Sequence, residues 1–151
     1  MLDVGDLAPE FEIQDQDGRR VTLTGLLDGG PLLLFFYPHD FGLVCTREAC
    51  AFRDRHQDLV EKGTRVAGIS PQAPESHRQF RDAHGLPYPL LSDPEKKAVA
   101  AFGVDGPLGM VRRVSFLIGS DRRILGRAVS GLFLGKHRDL IGKALEDAPG
   151  G

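Results

Sequence analysis

The chain has 151 residues, and 19 basic against 21 acidic side chains leave a formal charge of −2, which fits one soluble domain and argues against a nucleic-acid binder. Apolar residues at 41% and charged residues at 26% can supply a core and exclude intrinsic disorder. The longest apolar run, Leu32 to Tyr37, has six residues where a bilayer span needs about 20, so no membrane helix is expected.

Asp3, Asp6 and Glu10 occupy the region where a secretory signal needs basic residues and then an apolar stretch, which predicts a cytoplasmic protein. In that compartment the two cysteines read as reactive or inert thiols rather than a structural staple. Phe11 to Gln14 and Arg20 to Leu23 flank a turn ending Asp17-Gly18, which predicts an N-terminal β-hairpin. Leu32 to Tyr37, apolar on both faces and closed by Pro31 and Pro38, predicts a buried central strand. Cys45, Ala49, Phe52, His56 and Leu59 recur at helical spacing and predict a helix over 45–62, ended by Gly63.

Val66 to Ile69 predicts the next buried strand, and Pro74 to His84, stopped by Gly85, the next helix. Leu90-Leu91 predicts a short strand, Ser92-Asp93-Pro94-Glu95 the opening of a helix running to Phe102, and Val111 to Ile118 with Ile124 to Val129 a second hairpin. A last helix over 136–147 would place Leu140, Ile141, Ala144 and Leu145 on one face. Alternating strands and helices predict an α/β fold: a mixed sheet with a parallel centre, antiparallel additions and helices on both faces, in one domain.

In open α/β sheets the functional crevice lies beyond the carboxyl ends of the strands. The strand ending at Tyr37 leads into Cys45 at the start of a helix, where free N–H groups and the macrodipole favour a thiolate and lower a pKa otherwise near about 8.5. Cys45 is therefore a candidate nucleophile, the alternative being a small buried hydrophobe. Cys50 can resolve a sulfenic acid into a disulfide. On an intact helix, however, five residues give ~7.5 Å of rise and Cα atoms about 8–9 Å apart, beyond the roughly 7 Å that a disulfide tolerates. Oxidation would require the first turn to unwind. A zinc site is disfavoured because Cys45 and Cys50 have no second paired module, and His39, His56, His77, His84 and His137 read as solvated or structural.

Taken together, Gly5-Asp6-Leu7-Ala8-Pro9-Glu10-Phe11, Phe35-Phe36-Tyr37-Pro38, the stretch Cys45-Thr46-Arg47-Glu48-Ala49-Cys50-Ala51-Phe52-Arg53-Asp54, Leu90-Leu91-Ser92-Asp93 and Arg113-Val114-Ser115-Phe116 resemble the peroxiredoxins, most closely the bacterioferritin comigratory protein or peroxiredoxin Q branch. The resemblance implies a thioredoxin-like fold and a thiol peroxidase without cofactor or metal. Its expected partners are a peroxide substrate and a reductant, thioredoxin or a similar dithiol, and the chain is expected to act as a monomer without nucleic acid or membrane. It also implies a peroxidatic Cys45, a resolving Cys50 and a Cys45–Cys50 disulfide. Pro38 would shield Cys45 from water, and Glu48 would orient a distant arginine. Spacing alone leaves Arg112 and Arg113 open, since adjacent strand residues face opposite sides; the resemblance favours Arg113, whose guanidinium would stabilise the thiolate and bind the peroxide oxygens.

One position departs from the pattern: the hydroxyl residue expected three before the nucleophile, to hold the peroxide, is Gly42. A backbone N–H, a water or the neighbouring Thr46 substitutes for it, or peroxidase activity is weak and the protein serves instead as a redox sensor or thiol–disulfide binding module. Thr46 could equally be a helix cap.

Overall fold

The computed structural model describes residues 1–130 and 140–144. Its strands form one seven-stranded mixed sheet. β1 (Glu12–Gln14) and β2 (Arg20–Thr22) pair antiparallel with Ile13 opposite Val21. Gly18 takes a φ of +78° in their turn, a conformation that costs a residue without a β-carbon little. Thr22 then caps the short α1 (Leu23–Leu26), its side chain accepting the Gly25 N–H at 3.0 Å.

β3 (Leu32–Phe36) is buried throughout, as the run between two prolines predicts. It pairs parallel with β4 (Arg65–Ser70) and antiparallel with β6 (Arg113–Ile118). β5 (Leu90–Ser92) continues the parallel centre beside β4 and joins the N-terminal hairpin through Gln14 and Ser92. β7 (Ile124–Ser130) closes the opposite edge beside β6. The order is β2-β1-β5-β4-β3-β6-β7.

Side chains alternate across β3. Leu32, Leu34 and Phe36 enter a core with Phe102 and Phe116, while Leu33, Phe35 and Tyr37 meet α2 (Leu43–Glu61) and α3 (Pro74–His84) on the other face. Phe35 stacks on Phe52 of α2 with ring centroids 4.6 Å apart, a pairing worth about 0.5–1.5 kcal/mol beyond burial. This packing fixes α2, and so the cysteines, against the central strand.

Several boundaries differ from expectation for local reasons. The central strand ends at Phe36 rather than Tyr37. The long helix begins two residues earlier than predicted because Gly42 is its N-cap; Leu43 is exposed, so it lies off the buried stripe that marks the helix in the sequence. The helix expected from Ser92 begins at Lys97: Ser92 completes β5, and the Asp93 carboxylate accepts the N–H groups of Lys97 and Val99 at 3.0 and 2.9 Å to cap α4 (Lys97–Phe102). Val111 makes an isolated bridge with Asp105, and β6 starts at Arg113. Of the predicted last helix, residues 140–144 are helical with Leu140, Ile141 and Ala144 buried; the remainder, including Leu145, lies outside the described residues. No helix among the described residues is long and apolar enough to cross a membrane.

Candidate active site

β3 delivers the chain through Pro38, His39, Asp40 and Phe41 to α2 at the carboxyl end of the parallel centre. The loop is braced from beneath. The buried Asp40 carboxylate accepts the Tyr37 hydroxyl at 2.7 Å and the Ser76 hydroxyl at 2.7 Å, and meets His77 Nδ1 at 2.8 Å. His77 Nε2 faces the Leu91 carbonyl at 2.9 Å. Gln72 accepts the Asp40 N–H at 3.0 Å and donates to the Pro38 carbonyl at 3.1 Å. Burial pushes the Asp40 carboxyl up, but His77, Tyr37 and Ser76 together hold it below the usual carboxylate range.

His77 thus pairs with a buried acid, in the structural role that the sequence reading gave the histidines. Ser70, His77 and Asp40 even stand in the order of a hydrolytic triad. Ser70 and His77 have no exposure, however, and Nε2 is engaged with a carbonyl, so the group holds the loop rather than meeting a substrate.

Phe41 takes a φ of +64°, unusual for a residue with a β-carbon, and packs edge-on against Phe80 with centroids 5.1 Å apart. Gly42 follows as the N-cap, in ordinary extended backbone at φ −65° and with no side chain to cap. Cys45 is therefore the third helical residue and 1% exposed. Thr46 is not a cap: it lies inside the helix, half-buried, its N–H donating to the Gly42 carbonyl at 2.8 Å.

Two groups favour the Cys45 thiolate, the backbone N–H of His39 and the guanidinium of Arg113. Burial nevertheless pushes the Cys45 thiol above its ordinary range; the His39 N–H and Arg113 pull it back in part, and Glu48 pushes it up again. The expectation that the helix start lowers this pKa is corrected, because burial of the sulfur outweighs its donors. Arg113 is half-buried at the head of β6, whereas Arg112, just before the strand, is exposed and its N–H donates to the Val104 carbonyl. Cys50, half-buried on the next turn, is a free thiol like Cys45, and both lie on intact helix. Among the described residues no three of His, Cys, Asp and Glu are placed to hold a metal ion.

Glu48 has no exposed surface, and burial raises its carboxyl to about 8, with Arg113 pulling the other way. Between its ordinary value and about 8 the unfolded chain ionises this group while the folded protein keeps it protonated, so stability falls as pH rises through that window. Glu48→Gln is expected to gain stability relative to the parent as pH goes from 5 to 8, by on the order of 3 kcal/mol. Urea midpoints of both proteins at the two pH values measure it, and an unchanged difference would contradict the assignment.

A buried cysteine near the start of a helix, with an arginine and a backbone N–H acting on its thiol, thus sits on a thioredoxin-like sheet. The AhpC/TSA family matches residues 4–126, and the chain belongs to that family. Membership supports a thiol peroxidase function, an oxidoreductase that acts on peroxide with a thiol reductant. A Mycobacterium tuberculosis relative carrying a peroxiredoxin name is 40% identical over 131 residues, covering 82% of this chain and 83% of its own. Chloroplastic peroxiredoxin Q of Gentiana triflora is 42% identical over 104 residues, 69% of this chain and 48% of that protein. The crystal structure of the peroxidoxin BcpB from Mycobacterium tuberculosis superposes with a TM-score of 0.91 at 35% identity, covering 99% of each chain.

Proposed function

We propose that the chain reduces hydrogen peroxide and organic hydroperoxides through Cys45, with Cys50 as the resolving thiol and thioredoxin or a similar dithiol as reductant. The observation that carries this reading is the buried Cys45 near the start of α2, with Arg113 and the His39 N–H acting on its thiol, in a chain of the AhpC/TSA family. The thiolate attacks the terminal oxygen, the O–O bond breaks, the alkoxide or hydroxide leaves with a proton, and Cys45 becomes a sulfenic acid. The Cys50 thiolate then attacks that sulfur and water leaves, giving the disulfide that the dithiol reduces by exchange. The raised thiol keeps the thiolate fraction low, but each thiolate formed is the more nucleophilic for it. Arg113 supplies the positive charge that the developing oxyanion needs. Its Nε is buried with no hydrogen-bond partner among the described residues, a donor still available to an incoming oxygen. Pro38 and the braced loop beneath it keep the sulfur dry.

The test is rapid mixing of reduced protein with one equivalent of hydrogen peroxide, following thiol loss and mapping the sulfenic acid. Oxidation of Cys45 orders of magnitude faster than a free thiol supports the peroxidase. Slow oxidation would favour the second reading, a redox sensor or thiol–disulfide binding module, which Gly42 and the raised Cys45 thiol motivate.

Gly42 makes its own prediction. Its backbone admits any residue, and a β-carbon there would lie 3.6 Å from Cys45 Sγ and 3.2 Å from His39 Nε2. A threonine would thus stand beside the reacting sulfur once the exposed His39 ring gives by a few tenths of an ångström. A hydrogen bond to a charged transition state is worth about 1.5–3 kcal/mol, or roughly 10- to 150-fold in rate. Gly42→Thr is expected to speed Cys45 oxidation at least several-fold and, as a side-chain cap, to add no more than about 0.5 kcal/mol of stability. A slower oxidation would show that the space beside His39 serves the glycine site better than a hydroxyl does.

A further inference from the structure

Tyr88 is buried in the short connection from α3 to β5 between Pro87 and Pro89. Flanking prolines restrict the backbone on both sides of it. Its ring lies edge-on to Phe35 of the central strand at 5.7 Å and 6.0 Å from the His56 ring on α2. Its hydroxyl donates at 2.6 Å to the carbonyl of Ala49, which stands between the two cysteines. Cys50 and Glu48 lie close enough to act on the same phenol. Tyr88 therefore joins a rigid loop to the one stretch of α2 that the chemistry requires to open.

We propose that Tyr88 is a positioning residue that latches residues 45–50 closed, setting how the Cys45 sulfenic acid divides between Cys50 and a second peroxide. The inference rests on the Cys45–Cys50 cycle proposed above. A disulfide at this spacing cannot form on an intact helix. Unwinding that carries Ala49 away strips the Tyr88 hydroxyl of its acceptor in an apolar setting, which is costlier than losing an exposed hydrogen bond. While the segment stays closed, the sulfenic acid keeps the site where a peroxide reached it. A second hydroperoxide then transfers an oxygen to give the sulfinic acid and an alcohol or water. When the segment opens, Cys50 attacks, water leaves and the disulfide forms. The latch slows the second route without touching the first oxidation, because the Tyr88 hydroxyl is engaged with the Ala49 carbonyl rather than with the Cys45 sulfur.

Tyr88→Phe keeps the ring against Phe35 and removes only the hydroxyl. The expected result has three parts: Cys45 oxidation by the first equivalent of peroxide unchanged, disulfide formation about fivefold faster, and the sulfinic fraction per turnover lower by a similar factor. Rapid quenching with an alkylating agent followed by mass spectrometry reads all three. Amide exchange of the reduced proteins should show faster opening of residues 45–50 in Tyr88→Phe and unchanged protection in β3 and β4. Unchanged disulfide and sulfinic yields, or a loss of protection spread evenly over the chain, would overturn the latch and leave Tyr88 an ordinary core side chain. Absence of a sulfenic acid on Cys45 in the parent protein would instead overturn the peroxidase cycle; amide exchange would still decide whether the latch exists.

Discussion

Cys45→Ser is expected to leave no peroxide consumption above background, while Cys50→Ser consumes one equivalent and then stalls with a dithiol reductant. A serine hydroxyl at position 45 cannot provide the polarisable anion that breaks an O–O bond, so the loss is complete rather than graded. Cys50 enters only afterwards. It lies on the next turn of α2, half-buried, and is not among the groups acting on the Cys45 thiol, so its removal leaves the first oxidation at the parent rate. With no thiol to close the disulfide, the sulfenic acid persists, and Cys50→Ser accumulates the sulfinic form as peroxide is raised. Intact mass measurement after each equivalent distinguishes one added oxygen from two. Equal sulfenic acid formation in Cys45→Ser would remove Cys45 from the nucleophile's role.

The parts of the molecule that rest on local pattern were readable in the sequence, and the parts made by long-range packing were not. Leu32 to Tyr37 announces a central strand because both faces are apolar and Pro31 and Pro38 close it, and the observed strand Leu32–Phe36 is buried on both sides. The stripe Cys45, Ala49, Phe52, His56, Leu59 likewise predicts the face of α2 that packs on the sheet, with His56 half-buried at its edge. The first turn of that helix was invisible, since Leu43 and Val44 lie off the stripe and Gly42 caps without a side chain. α1 was missed because four residues carry no period, and only the Thr22 cap marked it. The pairing of Asp40 with His77 spans 37 positions in the chain and is created by the crossover from β4 to α3. No local signal encodes it. The Cys45 environment shows the same division: the helix start was legible, but the sulfur's burial, which reverses the sign of the pKa shift, depends on β3 and the loop closing over it. Tyr88 carries a further lesson, since nothing in the local sequence singled it out and its meaning comes from the one carbonyl it reaches.

Arg113→Ala is expected to slow Cys45 oxidation by about 100-fold, against no more than about twofold for Arg112→Ala. The two substitutions remove the same charge from neighbouring positions, so net charge is controlled and only geometry differs. Arg113 acts on the Cys45 thiol through its charge and its hydrogen bonding, while Arg112 is exposed, precedes β6 and does not act on that thiol. Removing Arg113 has two consequences of the same sign. The Cys45 thiol, already raised by burial, loses the cation that pulls it down, and the thiolate fraction falls. The transition state also loses the donor that meets the departing oxygen's negative charge, in a dry site where water cannot replace it. The neighbouring Glu48 loses the same cation and keeps its proton to higher pH, so its repulsion of the thiolate does not grow to compound the loss. The pH profile separates the two terms: a rise in the apparent Cys45 pKa reports the thiolate, and a lower plateau at high pH reports the transition state. Equal and small effects from both arginines would return Arg113 to the surface charges and leave the His39 N–H as the only donor acting on Cys45 among the described residues.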